Sequence, residues 1–508
     1  MHFVFKTRNN NYYMYDSDKK KFVIIPIEMY SVYKILEDNE FDFSKAKEII
    51  EKKDILRTDD GKIKKDKALY YLGKIRFLKE SGLFSETPFT KRKFDGRLTG
   101  EGVKRSLANT KQVTFETTER CNLKCKYCGY GEFYDDYDVR ERKDLDIEKA
   151  KIFLKYMEEL WNSPYNVSHG NNIYISFYGG EPLVNFRFVK EIVEFTEKLN
   201  LKHNRFTFSM TTNGVLLGKH MDFLAEKKFN LLISLDGNKW NNSYRVFESG
   251  KESFEIVVKN VNQLRDKYPE YFKERVNFNA VLHNRNSVSE IHEFFKKNYD
   301  KTPSIGELNN VGIREDKIEE FRRTYQNVYE SLFSAEDYTY IEKEMFINLP
   351  TIQNLSTFVF QYSDSKYETY DDFFTEEGGS FIPTGTCLPF SKKVFITAKG
   401  KILPCERVPH KYGLGFVKDD GVDIDFEKIA EKYNGYYDKL RGQCEKCYNR
   451  LHCGQCMLQL DMDSDKPVVC NGFMNKKDYT DYLSANTGFL EEEPENYEKI
   501  MKEVIIEY

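Results

Sequence analysis

The chain has 508 residues, of which 40% are apolar and 31% are charged, so it is long enough for two or three domains and too polar for a multi-span membrane protein. Lysine plus arginine (78) nearly balance aspartate plus glutamate (82), and the net charge of -4 gives no general attraction to nucleic acid or anionic lipid. The chain has no signal-peptide pattern and no run of about eighteen apolar residues, so we expect a cytoplasmic protein without a membrane partner. In a reducing compartment, its ten cysteines indicate metal ligands or catalysts rather than disulfides.

Residues 1–90 form the first predicted domain. Their hydrophobic patterns predict strands at 2–6, 12–15 and 22–25, followed by helices at 27–37, 44–52 and 67–81. The basic, glycine-containing stretch 91–111 is typical of an exposed linker.

Residues 112–316 alternate short apolar runs with helical stretches, which predicts an α/β domain with a parallel sheet. The predicted strands are 112–116, 173–178, 206–211, 230–235 and 276–281, and the predicted helices are 147–160, 188–199, 218–228 and 253–267. Active sites of parallel sheets lie at the carboxyl ends of the strands, so the residues just after these runs are the first candidates. The rest of the chain divides into a helical bridge at 317–380, a cysteine-rich domain at 381–475 and a helical tail at 476–508.

Three cysteines follow the first strand of the parallel sheet directly. Cys121, Cys125 and Cys128 are separated by three and then two residues, so their thiolates converge on one loop. Three protein ligands leave one iron of a four-iron cubane open to another molecule. A zinc site, which would need a fourth ligand nearby, is the alternative at this point.

This spacing, with the aromatic Tyr127 just before the last cysteine, resembles the signature of the radical S-adenosylmethionine (SAM) enzymes. Gly179-Gly180-Glu181, after the second strand, is similar to the family's glycine-glycine-glutamate motif, which implies that Glu181 contacts the methionine ammonium of SAM. Glycines permit close backbone approach, and a carboxylate beside an ammonium forms a charge-assisted hydrogen bond. Standing alone, the same residues would be an ordinary turn with a capping glutamate.

Further residues at the next two strand ends are similar to the family's SAM-binding motifs. They are Asn213, Ser234 and Asp236, with Arg245 eleven residues beyond Ser234. The resemblance implies that Ser234 binds the ribose or carboxylate of SAM and that Arg245 lies near the methionine carboxylate. It also implies a partial (β/α)6 barrel in which SAM is cleaved to a 5'-deoxyadenosyl radical that abstracts hydrogen.

Seven more cysteines, between 387 and 470, resemble the SPASM extension of this superfamily, which implies two auxiliary four-iron clusters. Only two residues separate Cys453 from Cys456, where the usual pattern has three. By motif, one auxiliary cluster would be held by Cys444, Cys447, Cys453 and Cys470, and the other by Cys387, Cys405 and Cys456. Three [4Fe-4S] clusters would then use all ten cysteines and leave an open iron for a histidine, an acid or a substrate thiolate.

Glu406, directly after Cys405, occupies the place where sulfatase maturases carry an aspartate thought to act as a base. The resemblance therefore implies a catalytic Glu406. A surface carboxylate or a partner of Arg407 is the alternative.

The strand and helix order of residues 1–90 is similar to the winged-helix elements with which ribosomal-peptide maturases recognise leader peptides. An edge strand of such a domain can pair with an extended leader. A winged helix can also bind DNA, but the chain lacks the basic bias that would favour nucleic acid. The third possibility is an extension that packs on the barrel without a ligand.

Together these features predict a radical SAM/SPASM enzyme that modifies a ribosomally made precursor peptide by forming a cysteine thioether crosslink. Its cofactors would be SAM and three [4Fe-4S] clusters, and its partners the leader-bearing peptide and an electron donor such as flavodoxin or ferredoxin. One alternative is a sulfatase-type maturase that forms formylglycine. The other is a non-enzymatic iron-sulfur regulator that binds nucleic acid through its winged helix.

Overall fold

The computed structural model describes residues 2–503 except 17–20, 59–60, 82–93, 136, 168–171, 346–354, 356–357, 360–381, 451–452 and 465–466. Its amino-terminal part is a three-stranded antiparallel sheet, three helices and a separate two-stranded hairpin. These elements are β1 His2–Lys6, β2 Tyr12–Asp16, β3 Lys21–Ile24, α1 Ile27–Asp38, α2 Phe43–Glu51, β4 Ile55–Thr58, β5 Gly61–Lys64 and α3 Lys65–Glu80.

The three predicted strands and three predicted helices of this region are confirmed, with ends shifted by at most two residues. The hairpin β4–β5 was not expected. Its strands have four residues each and are partly charged, so their alternation is weak, but the Asp-Gly pair before Lys62 is a turn signal that could have revealed it. The predicted end of the domain, at residue 90, lies outside the described residues.

Strands β1 and β2 of the three-stranded sheet are buried on both faces, whereas β3 is largely exposed. Val4 and Met14 belong to a core with α1–α3, whereas Phe3, Phe5 and Tyr15 belong to the main core of the molecule. This division follows from the period of two along a strand, which sends neighbouring side chains to opposite faces. The amino-terminal elements are therefore docked on the rest of the protein by apolar packing.

The prediction that 91–111 is an exposed linker is wrong. Within it, helix α4 (Gly100–Ala108) starts at Thr99, whose hydroxyl accepts a hydrogen bond from Gly102 N at 3.1 Å. Val103 and Leu107, one helical turn apart, are fully buried. The basic residues of this stretch alternate with an apolar stripe that anchors the helix.

The central region is a parallel sheet with helical crossovers, as predicted, with one further strand at 304–306. Its strands are β6 Gln112–Glu116, β7 Asn172–Tyr178, β8 Arg205–Thr212, β9 Asn230–Ser234, β10 Val276–Val281 and β11 Ser304–Gly306. Its helices are α5 Ile147–Trp161, α6 Phe186–Thr196, α7 Leu217–Glu226, α8 Phe254–Lys267, α9 Pro269–Arg275 and α10 Val288–Tyr299.

The remaining elements are α11 Ile318–Thr324, α12 Val328–Phe333, α13 Tyr338–Glu344, β12 Lys393–Ile396, β13 Lys401–Leu403, β14 Gly415–Lys418, β15 Gly421–Asp423, α14 Phe426–Cys444, α15 Lys476–Glu492 and α16 Glu495–Glu503. Short 3-10 helices lie at Pro182–Asn185, Asn241–Tyr244, Glu315–Lys317, His410–Tyr412 and Met457–Gln459. Most of the predicted helical bridge beyond residue 345 lies outside the described residues. No helix in the described part of the chain is both long enough and apolar enough to cross a bilayer.

The carboxyl-terminal strands extend the central sheet to ten strands. Strand β12 pairs parallel with β6, with Lys393 opposite Gln112, and β13–β15 follow as antiparallel neighbours. Because β13 runs back along β12, Cys405 and Glu406 emerge beside the beginning of β6. The cysteine loop 121–128 instead follows the end of β6, so the two candidate regions approach the sheet from opposite ends.

Candidate active site

The first cysteine loop is held against the end of β7 by backbone hydrogen bonds. Gly180 N donates to Thr118 O at 2.8 Å, and Glu181 N donates to Arg120 O at 2.9 Å. A Cβ atom at Gly180 would lie 2.1 Å from Arg120 O, and one at Gly179, whose φ is +124°, would lie 2.6 Å from Thr118 O. The two glycines thus allow the backbone segment before Cys121 to pack against them. From the sequence, we had explained these glycines only by the close approach of a ligand.

The three thiols of this loop lie near one another in a partly buried site. Burial raises the pKa of Cys121 to about 11 and that of Cys125 to about 12, and the neighbouring Cys128 raises both further. Thiols in such a setting lose their protons when a metal centre stabilises the thiolates. This donor set fits an iron-sulfur cluster. Asn213 also reaches this loop, since its side-chain Nδ2 lies 3.7 Å from Cys121 Sγ.

Glu181 is a buried carboxylate where the ends of β7 and β8 meet. It is 1% exposed and accepts hydrogen bonds from Thr212 Oγ1 and Asn213 N, both at 2.7 Å, and from Leu183 N at 3.1 Å. Burial raises the pKa of Glu181 to about 7, because these donors only partly replace water. A ligand ammonium beside this carboxylate would stabilise its ionised form, which fits the predicted contact with the methionine end of SAM.

Tyr127, Asp236 and Arg245 form a buried network behind the loop. Arg245 donates from Nε and Nη2 to the two Asp236 oxygens at 3.0 and 2.8 Å, and the Tyr127 hydroxyl also donates to Asp236. Burial would raise the pKa of Asp236, but Arg245 and His283 hold it well below its usual range. The predicted SAM contacts Asp236 and Arg245 are therefore paired with each other, an arrangement that the sequence did not suggest.

Sequence reasoning missed His283 in this network. Its side chain is fully buried, its Nε2 lies 3.6 Å from Asp236 Oδ2, and its ring stacks on Tyr127 with centroids 5.4 Å apart. The available signal was its place two residues after the end of β10.

The predicted SAM contact Ser234 is the last residue of β9, where it pairs with Asn279 of β10.

The carboxyl-terminal cysteines form two adjacent groups. In the first, burial raises the pKa of Cys444 to about 12, and three neighbouring sulfurs raise it further. This group of four consists of Cys444, Cys447, Cys453 and Cys470.

The second group has three members, Cys387, Cys405 and Cys456. Burial raises the pKa of Cys405 to about 12, and the neighbouring Glu406 and Cys456 raise it further. The pKa of Cys456 is raised by burial and by the neighbouring Cys387. Thr386 ties two of the segments together, because its hydroxyl donates to Gln455 O at 3.2 Å and accepts from Met457 N at 2.6 Å.

The two groups are in backbone contact. A Cβ atom at Gly385 would lie 1.2 Å from Cys453 O, so the segment that leads to Cys387 passes directly against the group of four. No three His, Cys, Asp or Glu side chains within the described ranges converge tightly enough to hold a single metal ion.

A polar cavity of about 580 Å3 runs through the curved sheet. It is lined by residues near the start of strands, such as Gln112 and Asn230, and by residues near their ends, such as Tyr178 and Thr211. Hydrogen-bonding side chains also line the middle of the cavity, for example Ser176 and Ser209, whose hydroxyl oxygens are 2.5 Å apart. A lining of this kind suits a polar ligand.

Glu406 lines this cavity and is paired with Lys393. Its Oε1 lies 3.1 Å from Lys393 Nζ, whereas Arg407 Nε is 4.0 Å away on a side chain that is 83% exposed. Glu406 is therefore in contact with both cations, closely with Lys393 and at the limit of an ion pair with Arg407, and its catalytic role stays a prediction. Burial raises the pKa of Tyr178, and Glu406 and Cys128 raise it further, so Tyr178 lies between the two cysteine regions.

The central region of the chain matches the model of a known protein family. The model of the Radical SAM superfamily matches residues 115–297. The chain contains a radical SAM domain. This domain starts in β6 and includes the cysteine loop, the Gly179-Gly180-Glu181 motif and the Asp236 network. A radical SAM domain binds SAM and an iron-sulfur cluster, and the partly buried thiols of Cys121, Cys125 and Cys128 are the donor set suited to the cluster.

The chain is also similar to curated sulfatase maturases. It is 33% identical to a cysteine-type anaerobic sulfatase-maturating enzyme of Clostridium novyi over 184 residues, which cover 35% of this chain and 46% of the relative. It is 26% identical to the enzyme of the same name from Clostridium perfringens over 372 residues, which cover 71% of this chain and 93% of the relative. A solved structure described as native anSMEcpe with bound AdoMet and Kp18Cys peptide aligns with a TM-score of 0.49 at 21% identity and covers 77% of this chain and 99% of that one. These relatives and the match of residues 115–297 both show similarity to radical SAM enzymes.

Proposed function

We propose that this protein is a radical SAM maturase that links a cysteine of a precursor peptide to a carbon atom of another residue through a thioether. The observation that carries the proposal is the shared cavity. Its wall includes Tyr178, which precedes the glycine-glycine-glutamate motif, and Glu406, which follows Cys405. A peptide in this cavity would reach the SAM motif with one residue and the carboxyl-terminal cysteines with another.

At the SAM end, Cys121, Cys125 and Cys128 would hold the radical cluster and Glu181 the methionine ammonium. When bound and reduced, these cofactors supply a 5'-deoxyadenosyl radical that takes a hydrogen atom from a substrate carbon. The Asp236–Arg245 pair keeps the loop region in place, because a buried bidentate ion pair fixes both side chains.

At the other end, the group of three cysteines differs from the group of four in ligand number. A four-iron cluster held by Cys387, Cys405 and Cys456 would retain one iron for a substrate thiolate. Formation of the thioether removes two hydrogens from the peptide, one as an atom to the adenosyl group and one as a proton. The single electron that remains needs an acceptor, and an iron-sulfur centre in this group is suited to take it.

Glu406 is the candidate acceptor of the thiol proton. Lys393, whose Nζ lies 3.1 Å from Glu406 Oε1, keeps the Glu406 side chain in the cavity wall. The pair together could hold the proton and then release it towards the solvent.

The amino-terminal sheet is the candidate leader site. Strand β3 pairs with β2 on one side, and two apolar residues of β3, Val23 and Ile24, are 53% and 63% exposed. An extended leader could add a strand at the edge of β3 that has no neighbouring strand among the described residues, and cover these side chains. This arrangement would suit a peptide made and modified in the reducing cytoplasm, with flavodoxin or ferredoxin as the electron donor.

Formylglycine formation is the second candidate, and the similarity to the Clostridium enzymes favours it. Both reactions begin with a cysteine-bearing peptide. They differ in the fate of the cysteine sulfur. Thioether formation keeps the sulfur in the peptide, whereas formylglycine formation removes it.

The test is to incubate the reduced, anaerobically reconstituted enzyme and SAM with a cysteine-bearing peptide encoded beside its gene. We expect a loss of two hydrogens and tandem mass spectra in which two residues are joined, whereas the same peptide with serine in place of cysteine should remain unlinked. A product that has lost its sulfur would establish the second candidate instead. Iron analysis should give about twelve irons per chain.

A further inference from the structure

The Tyr433 hydroxyl is a buried polar group without a protein partner. Tyr433 lies in α14 and is 1% exposed, and nothing among the described residues forms a hydrogen bond with its hydroxyl oxygen. Burying an unpaired hydroxyl is unfavourable, so such groups usually face a bound molecule or water.

Tyr433 packs in the same core as Cys405 and Cys456, two cysteines of the group of three. Burial raises the pKa of Tyr433 well above its usual range, and Tyr437, Cys456 and Cys405 around it add to this effect. Cys405 follows β13 and Cys456 begins the 3-10 helix Met457–Gln459, so α14 brings the tyrosine to the place where these segments meet. Tyr433 therefore remains a protonated hydrogen-bond donor beside these sulfurs.

We propose that the Tyr433 hydroxyl donates a hydrogen bond to a sulfur atom of the auxiliary cluster held by Cys387, Cys405 and Cys456, and that this bond favours the reduced state of the cluster. The proposal rests on the cluster assignment of the proposed function. A donor at a cluster sulfur stabilises the negative charge added on reduction and so raises the midpoint potential. Tyr433 would be a positioning residue that acts through the cluster.

Tyr437 provides a matched control on the same helix. It is fully buried, and its hydroxyl also has no hydrogen-bond partner in the described part of the chain. Its pKa is raised by burial alone, with no cysteine contributing. Tyr437→Phe therefore removes the same atom in the same kind of environment, away from the cysteines.

The experiment is a redox titration of the anaerobically reconstituted full chain, followed by electron paramagnetic resonance. The signal that disappears in Cys405→Ala identifies the cluster in question. We expect Tyr433→Phe to move the midpoint of that signal to a more negative potential with unchanged iron content. Tyr437→Phe should have the same midpoint potential as the wild type.

The proposal is overturned if Tyr433→Phe titrates with the wild type, or if Tyr437→Phe shifts as far as Tyr433→Phe. If Cys405→Ala loses neither iron nor any signal, the cluster assignment is wrong and the proposal falls with it. Iron analysis distinguishes that outcome from the first two. Failure to crosslink a peptide would count against the proposed reaction alone, because the potentials are measured without a substrate.

Discussion

The two cysteine regions of this protein are built in different ways. Cys121, Cys125 and Cys128 lie within eight residues of one loop, which two glycines seat against the neighbouring strand. The carboxyl-terminal cysteines come from separate segments between Cys387 and Cys470, which the extension of the sheet, α14 and Thr386 bring together. A ligand set on one loop depends on local backbone geometry, whereas a set assembled from distant segments depends on the whole carboxyl-terminal fold.

The largest effect is expected when a cysteine is removed from either region. Cys125→Ala should abolish SAM cleavage, because two thiolates cannot hold the radical cluster, and 5'-deoxyadenosine measured by chromatography should fall to background. Cys456→Ala should retain SAM cleavage, lose about four irons and stop peptide modification. Equal loss of SAM cleavage in both variants would show that the regions are not separate.

Alanine in place of a tightly packed glycine should disrupt each cysteine region, because its methyl group would clash with a backbone oxygen. Gly180→Ala would place Cβ 2.1 Å from Arg120 O, and Gly385→Ala would place it 1.2 Å from Cys453 O. Each should cost about 2 to 4 kcal/mol of unfolding free energy, measured with urea. We expect the first to lose the radical-cluster iron and the second to lose carboxyl-terminal iron.

The control for these two variants is Gly435→Ala. Gly435 lies inside α14 with no atom within 4 Å of an added Cβ, and alanine there should stabilise the helix by up to about 1 kcal/mol. A loss of stability or of iron in this variant would show that steric contact does not explain the other two.

Glu181 allows a pH test of the SAM region. Its pKa is raised by burial from 4.5 to about 7, so its contribution to stability is fully present below pH 4.5 and is lost as the pH rises through 7. Compared with Glu181→Gln, the wild type without SAM should lose up to about 3 kcal/mol of unfolding free energy from pH 4.5 to pH 8. Parallel stability curves for the two proteins would contradict this, and we expect added SAM to reduce the difference.

The smallest expected effect concerns Glu406 and sharpens the contrast between the two ends of the cavity. Glu406→Gln should slow peptide modification by about 10- to 100-fold while SAM cleavage continues, because the base is lost but the radical cluster is intact. Arg407→Gln, at an exposed residue, should leave both rates unchanged. Rates of 5'-deoxyadenosine and of modified peptide, measured together, separate these outcomes.

The sequence allowed the first region to be predicted in detail. The spacing of Cys121 and its two partners, and the glycines before Glu181, depend on turns of a few residues, so they can be recognised without knowing the fold. The parallel strands were equally clear, because short apolar runs alternate with helical stretches along the chain. The partners of these residues were not predictable in the same way, since Arg245 pairs with Asp236 and Glu406 with Lys393 across separate elements.

The sequence by itself determined the cysteine loop, the order of strands and helices and the residue types at the strand ends, because each depends on neighbours in the chain. Only the tertiary structure decided that 91–111 contains a packed helix and that β12 continues the parallel sheet beside β6. It also decided that Glu406 reaches the cavity from the end opposite to the SAM motif. These arrangements depend on contacts between residues far apart in the chain, which local hydrophobic periodicity does not record.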